Sequence, residues 1–377
     1  MNGLEMKEKR SLIVLIMMVF LSSGGCALFK GSRPEPAFWD ENSRESLMSR
    51  TETFVFKDEF RGILDNLMQN YWDPSGNWNG DIQGDATLFA SMLLFALSRD
   101  THDTAMEEMA QQTASYEASL VRRFFYYPVV HMDLVMGFPA LAQPYLFTGD
   151  DAYRFLFTTG VRSGNIMISL MPGVFVSFVH DRATLYASAS YMCFLAHEMS
   201  ETEFQKNSFK KKGIAWIERA NRDCWNEEAG LYEHFRILDW PQTTMMMALT
   251  AAYRATSDAQ YLDQCLLVLD SMEALCRDSS RGGYRGHPDL SRKGLSGNNN
   301  MVWVLLDLYE ITGEKMYLER ARSALEWVLS EDLYDEKEHI IYHHWDDDGG
   351  RADYFCTGCN FHTLCNIYRL NTIHPPQ

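Results

Sequence analysis

Tyr309-Glu-Ile-Thr312-Gly313-Glu314-Lys-Met-Tyr317 closes an apolar segment, turns on a glycine and opens a charged segment. The same signature recurs as Tyr145-Leu-Phe-Thr148-Gly149-Asp150-Asp151-Ala-Tyr153 and as Tyr253-Arg-Ala-Thr-Ser257-Asp258-Ala-Gln-Tyr261. Degenerate copies stand at Leu97-Ser-Arg-Asp100-Thr-His-Asp103 and Ala196-His-Glu-Met-Ser200-Glu201. From Arg99 through Thr148, Ser200 and Ser257 to Thr312 the steps are 49, 52, 57 and 55 residues. A period in this range marks a repeated supersecondary unit. Each copy ends one helix on Gly, Ser or Asp and caps the next with an acidic or hydroxyl side chain. The unit is a helical hairpin.

The helices on either side of each signature differ in kind. Segments that end at one are nearly uncharged: 241–256 carries only Arg254, 183–198 only Glu198, and 132–147 only Asp133. Segments that start at one are heavily charged, with ten charged residues in 201–223 and seven in 314–331. A helix apolar all round is buried, and one with a charged stripe faces water. Alternation of the two predicts an inner ring of helices, at about 83–98, 132–147, 183–198, 241–256, 298–311 and 357–370, inside an outer ring. The expected fold is all-α, with about twelve helices. Residues 55–370 resemble the six-hairpin, or (α/α)6-toroid, superfamily of glycoside hydrolases, N-acylglucosamine 2-epimerase-like isomerases and polysaccharide lyases. The resemblance implies a carbohydrate-active protein and leaves the reaction open.

The N-terminus reads as a processing segment. Lys7, Lys9 and Arg10 precede the apolar run Leu12–Leu21, and Ser23-Gly24-Gly25-Cys26 follows. This resembles a bacterial lipoprotein signal, which implies removal of the segment before Cys26 and lipidation of Cys26. An uncleaved anchor helix is the alternative. Both readings put the rest of the chain in the cell envelope, at the periplasmic face of the membrane or the cell surface. The expected organisation is a signal at 1–26, a tether at 27–54 with Pro34 and Pro36, and one toroid domain at 55–372. Cys26→Ser is expected to release the protein from the membrane fraction or leave it unprocessed. Unchanged fractionation and migration would sink the assignment.

The net charge of −17 argues against a nucleic-acid partner. Arg281, Arg285, Arg292 and Lys293 form the one basic loop cluster, which an acidic polymer would need. Seven cysteines beyond Cys26 do not make a disulfide framework. Cys356-Thr-Gly-Cys359-Asn-Phe-His362 has ligand types suited to zinc, but it equally fits a Cys356–Cys359 disulfide or buried thiols. No metal and no cofactor are expected.

The marker turns are short and the return links are long, so the long links gather on one face of the ring, where a site is expected. Four of them read as β-hairpins: 72–78, 225–234, 277–284 and 334–345. Asp133, Asp181 and Asp239, near the starts of inner helices, are the candidate general acid/base residues for glycosidic cleavage. Asp133 leads, because it lies inside an otherwise uncharged segment where no cap is needed. Trp78, Asp81, His131, Trp240, Tyr284, His287, Asn299, His344, Trp345 and His362 are the candidate saccharide contacts. Epimerisation or β-elimination through His287, His344 or His362 is the rival chemistry, and a catalytically silent saccharide-binding lipoprotein is the rival class.

Overall fold

In a computed structural model, residues 39–80, 86–124, 142, 144–170, 181–232 and 239–373 are described. The described helices are α1 Glu41–Arg50, α2 Lys57–Asn70, α3 Ala86–Thr101, α4 Thr104–Phe124, α5 Asp151–Leu170 and α6 Arg182–Glu198. They continue as α7 Glu203–Cys224, α8 Asp239–Thr256, α9 Ala259–Leu275, α10 Leu295–Thr312, α11 Lys315–Val328 and α12 Thr357–Thr372.

The three clean signatures share one physical device. Gly149, Ser257 and Gly313 take positive φ of 70°, 58° and 72°. Each donates its N–H to the carbonyl of the tyrosine four residues back, Tyr145, Tyr253 or Tyr309. That bond satisfies a carbonyl the helix end would otherwise leave bare. Asp150 and Asp258 then accept from Ala152 and Gln260 N–H groups to start the next helix.

The two kinds of helix occupy two layers. α3, α6, α8, α10 and α12 are buried along most of their length, whereas α7 and α11 bury one stripe. Within the inner layer α6 packs on α8, α8 on α10, α10 on α12, and α12 on α3. Each inner helix also packs on the outer helix that follows it: α3 on α4, α6 on α7, α8 on α9 and α10 on α11. The last inner helix, α12, returns to α2, the first outer one, which joins the chain ends. The remaining inner segment, expected at 132–147, lies mostly outside the described residues; 144–148 are helical.

One stretch differs from its sequence reading. The tether expected up to residue 54 contains α1, capped by Asp40 on the Ser43 N–H, with Leu47 buried. Arg50 reaches Asp100 at 2.7 Å and Trp39 donates to Asp65 at 2.7 Å. Polar links and a few apolar anchors hold this helix, so no amphipathic period advertises it.

The inner helices are not fully buried all round. Partly exposed side chains recur at near-heptad spacing: Tyr191, Leu195 and Glu198 on α6; Trp240, Thr244, Met247 and Arg254 on α8; Ser296, Trp303 and Glu310 on α10. Met92 is the corresponding position on α3. In a closed ring of inner helices such a stripe faces the axis, the lumen, although Met92, Tyr191, Leu195, Met247 and Trp303 also pack against the core there. Tyr191, Met247 and Trp303 lie roughly 12–13 Å down from the helix starts, at 1.5 Å per residue, and form an apolar belt. Beneath the belt, Asp307 accepts from Arg254 at 3.0 Å and Arg369 at 2.9 Å, and Glu310 accepts from the same arginines at 2.6 and 3.3 Å. This ion cluster joins α8, α10 and α12 at the short-turn end.

Candidate functional site

The long-loop face carries the four expected hairpins. Trp72 pairs with Trp78, and Arg277 with Tyr284, as single antiparallel bridges. β1 (Trp225–Asn226) pairs with β2 (Leu231–Tyr232), and β4 (Tyr334–Asp335) with β5 (Ile340–Ile341). A further sheet joins β3 (Lys293–Gly294), β6 (His344–Asp346) and β7 (Gly350–Arg351).

Three of these hairpins are latched to inner helices in the same way. Gln242 accepts from the Tyr232 N–H at 2.9 Å and donates to its carbonyl at 2.5 Å. Asn298 does the same to Tyr284 at 2.7 and 3.0 Å, and Asn360 to Ile341 at 2.9 and 2.9 Å. A primary amide offers donor and acceptor in one plane, so it completes a strand edge like a backbone unit. The recurrent polar residues near the starts of the inner helices are therefore, in these three cases, the joints that hold the rim.

Several candidate saccharide contacts are turned into the protein. Trp78 is buried, donates to Thr113 Oγ1 at 3.3 Å and packs on Trp72 and Phe361. Tyr284 is buried with its hydroxyl on Glu273. Asn299 is buried, donating to the Cys359 carbonyl and accepting from Thr363, each at 3.0 Å. Trp345 is buried between Arg281 and Lys293, 4.5 and 5.2 Å from its ring centre. Their aromatic and amide character fitted sugar stacking, but hairpin packing uses the same residue types. Asp181 is the N-cap of α6, with one oxygen on the Thr184 N–H and the other on its hydroxyl, both at 2.5 Å. Asp239 is the first residue of α8, and Trp240 beside it is half-buried at the mouth of the lumen. Asp81, His131, Asp133 and Cys26 lie outside the described residues.

The histidines divide by depth. His287 sits on the outer loop, its Nδ1 accepting from the Asp289 N–H at 3.1 Å. His343 and His344 lie edge to face at 5.8 Å, and Tyr354 packs on both rings, at 5.0 Å from His343 and 5.7 Å from His344. Arg292 donates to His344 Nδ1 at 3.1 Å, which leaves the imidazole proton on Nε2. His362 lies in the second turn of α12, stacked on Phe89 at 3.9 Å and edge-on to Trp303 at 5.8 Å. It is buried, and its Nε2 has no hydrogen-bond partner. Trp303 belongs to the lumen wall, so this nitrogen lies just above the belt.

Burial lowers the pKa of His343 to about 4, with help from His344 and Arg292, and that of His362 to about 3, with help from Arg369. Both imidazoles are neutral at pH 7. Each folded value lies below the unfolded value of about 6.5, so the unfolded chain binds more protons in acid. Stability is then full above about pH 6.5 and falls as pH drops toward 4. Urea midpoints measured across that range should decline, and His362→Asn should flatten the decline. An unchanged slope would contradict the burial of a neutral imidazole.

Cys356 and Cys359 are both buried. Among the described residues, no three His, Cys, Asp or Glu side chains are placed to hold a metal ion. The Cys-x-x-Cys-x-x-His spacing falls across the start of α12, where its helical rise spreads the three side chains into the core.

No family model and no curated protein sequence matches the chain. Solved structures do. A GH76 α-mannanase from Bacteroides thetaiotaomicron is 12% identical with a TM-score of 0.60, over 86% of this chain and 98% of that one. An unsaturated glucuronyl hydrolase from Bacillus sp. GL1 is 10% identical with a TM-score of 0.61, over 87% and 97%. A cellobiose 2-epimerase from Bacillus thermoamylovorans is 12% identical with a TM-score of 0.56, over 88% and 99%. The chain has the six-hairpin (α/α)6-toroid fold. In this toroid the mouth is the long-loop face, with Trp240 at the start of α8 beside it and Arg292, His343, His344 and Tyr354 in its loops.

Proposed function

We propose that the protein is a carbohydrate-active enzyme that takes a saccharide through the mouth into the upper lumen. The observation that carries this reading is the lumen itself. Its wall is mixed aromatic and polar, with Trp240 and Thr244 above the belt and Trp303 in it, and an ion cluster lies below. Sugar rings need aromatic faces for their C–H surfaces and scattered donors and acceptors for their hydroxyls. The first chemistry proposed is glycosidic cleavage, with Asp133 as general acid. The mannanase and glucuronyl hydrolase of the same fold are named for hydrolysis, and this supports the choice. Epimerisation is the second, supported by the neutral imidazole of His362, whose buried Nε2 has no hydrogen-bond partner and whose ring lies edge-on to Trp303. Lipidation at Cys26 would hold the enzyme in the envelope.

A panel of plant, microbial and glycosaminoglycan oligosaccharides, incubated with the intact protein, tests the proposal. Products resolved by chromatography and mass spectrometry should show a shortened chain, or an isomer carrying solvent deuterium when the reaction is run in D₂O. No turnover and no binding across the panel would end the enzymatic reading.

A further inference from the structure

We infer that the outer wall formed by α5 and α7 docks on an anionic phospholipid bilayer. This docking needs neither the chemistry of the lumen nor a lipid on Cys26. The two helices are consecutive in the outer layer and are tied to each other along their length. The Arg162 guanidinium on α5 lies over the Phe209 ring on α7 at 5.3 Å, Asn165 accepts from the Trp216 indole N–H, and Arg154 pairs with Glu201 just before α7. These ties join residues 47 to 51 apart in sequence. Phe155 and Phe204 are 49 apart, so they stand level, near the starts of their helices at the short-turn end.

The solvent side of this wall is apolar where an outer helix is normally charged. Phe204 is 85% exposed, Phe155 60% and Ile166 53%. Its charges are also of one sign. After Asp151, α5 has no carboxylate, and α7 has none from Phe204 to Ile217. The flanking outer helices do carry exposed carboxylates, Glu107 and Glu108 on α4 and Asp263 and Asp270 on α9. Some cations of the wall are already matched: Arg154 by Asp151 and Glu201, Lys206 by Glu203, Arg219 and Arg222 by Asp223. Arg162, Lys211 and Lys212 are exposed, and among the described residues no carboxylate lies within ion-pair distance of them. Arg162 and Lys212 lie over aromatic rings instead, Phe209 and Trp216. On a chain of net charge −17 this is a local band of free cations set among exposed aromatic and aliphatic side chains. A bilayer boundary accepts both, the apolar groups below the headgroups and the cations beside the phosphates. A soluble polyanion would match the cations and leave Phe155, Ile166 and Phe204 in water. Both phenylalanines stand at the end of the ring opposite the mouth, so contact here leaves the mouth open.

The test is co-sedimentation of the full-length protein with vesicles of phosphatidylcholine alone and of phosphatidylcholine mixed with phosphatidylglycerol. Wild type should bind the anionic vesicles more tightly, and added salt should shrink the difference. Lys211→Gln combined with Lys212→Gln should weaken binding to the anionic vesicles by roughly tenfold. Lys337→Gln, which removes an exposed lysine remote from this wall, should leave it unchanged. Depth is read separately. In Phe204→Trp the added fluorescence should be quenched by vesicles whose acyl chains carry bromine. Absent binding, equal binding to both vesicle types, a preference that survives the double lysine variant, or no quenching in Phe204→Trp would each overturn membrane docking. Heparin binding that the double lysine variant loses, without quenching on vesicles, would overturn it in favour of a soluble polyanion.

Discussion

Asp278→Asn is expected to cost about 3–5 kcal/mol of folding stability, because it strands a buried lysine. Lys293 has no exposed side-chain surface, and its ammonium lies 3.0 Å from Asp278 and 3.1 Å from the Gly282 carbonyl. Trp327 and Trp345 close over it, with ring centres at 4.6 and 5.2 Å. Asp278 also accepts from Ser280 N–H, Ser280 Oγ and Arg281 N–H. Burial opposes its ionisation, but the hydrogen bonds from Ser280, Lys293 and Arg281 prevail and hold the carboxyl well below the usual carboxylate range. Its folded pKa is depressed, so this stabilisation is present above about pH 4 and is lost as pH falls through the folded value. Urea unfolding at pH 7 measures the effect. The double variant Asp278→Asn with Lys293→Met should recover much of it, since a buried pair replaced by groups that need no partner is close to neutral. A single-variant loss under about 1 kcal/mol would mean water reaches the pair.

This pair also marks where sequence reading stops. Lys293 stands in a basic loop run and looks like solvated surface; its partner is 15 residues away and its aromatic cover comes from two other elements. The ring was legible because its cause is local. A tyrosine carbonyl, a left-handed residue and an acidic cap fall within one turn, and the charge difference between inner and outer helices needs only composition. The hairpins were legible for the same reason, as aromatic pairs across short turns. What Trp78, Tyr284 and Asn299 do was not, because a rim aromatic and a packed one have the same side chain, and only the third dimension turns it in or out. The amide latches were visible as a recurring polar position. Their job became plain only when Gln242, Asn298 and Asn360 were each seen to bond both polar groups of one strand residue. The lumen stripe on α8 was hidden by the apolar character of the whole helix, in which Trp240, Thr244 and Met247 do not differ from their neighbours.

Asp133→Asn is expected to lower turnover by roughly 10²-fold or more on natural glycosides, the usual loss when a general acid is removed. Asp133 is the sole charge in its inner segment, so desolvation should favour its protonated form, the form a general acid needs. Substrate chemistry supplies the decisive control. A glycoside with a good aryl leaving group departs without protonation, so the variant should keep most of its rate on that substrate. Loss on both substrates would instead mark a nucleophile or base. Full activity with a melting temperature lowered by the equivalent of about 1 kcal/mol would make Asp133 a helix cap, as Asp181 is. His362→Asn, run beside it, separates the two chemistries. If imidazole carries an epimerase, this variant loses exchange of substrate hydrogen with D₂O while Asp133→Asn retains it. If His362 only holds the sugar, its variant raises KM and leaves kcat near wild type. Hydrolysis through Asp133 therefore predicts one signature, a turnover loss in Asp133→Asn that a better leaving group repairs, and neither rival reproduces it.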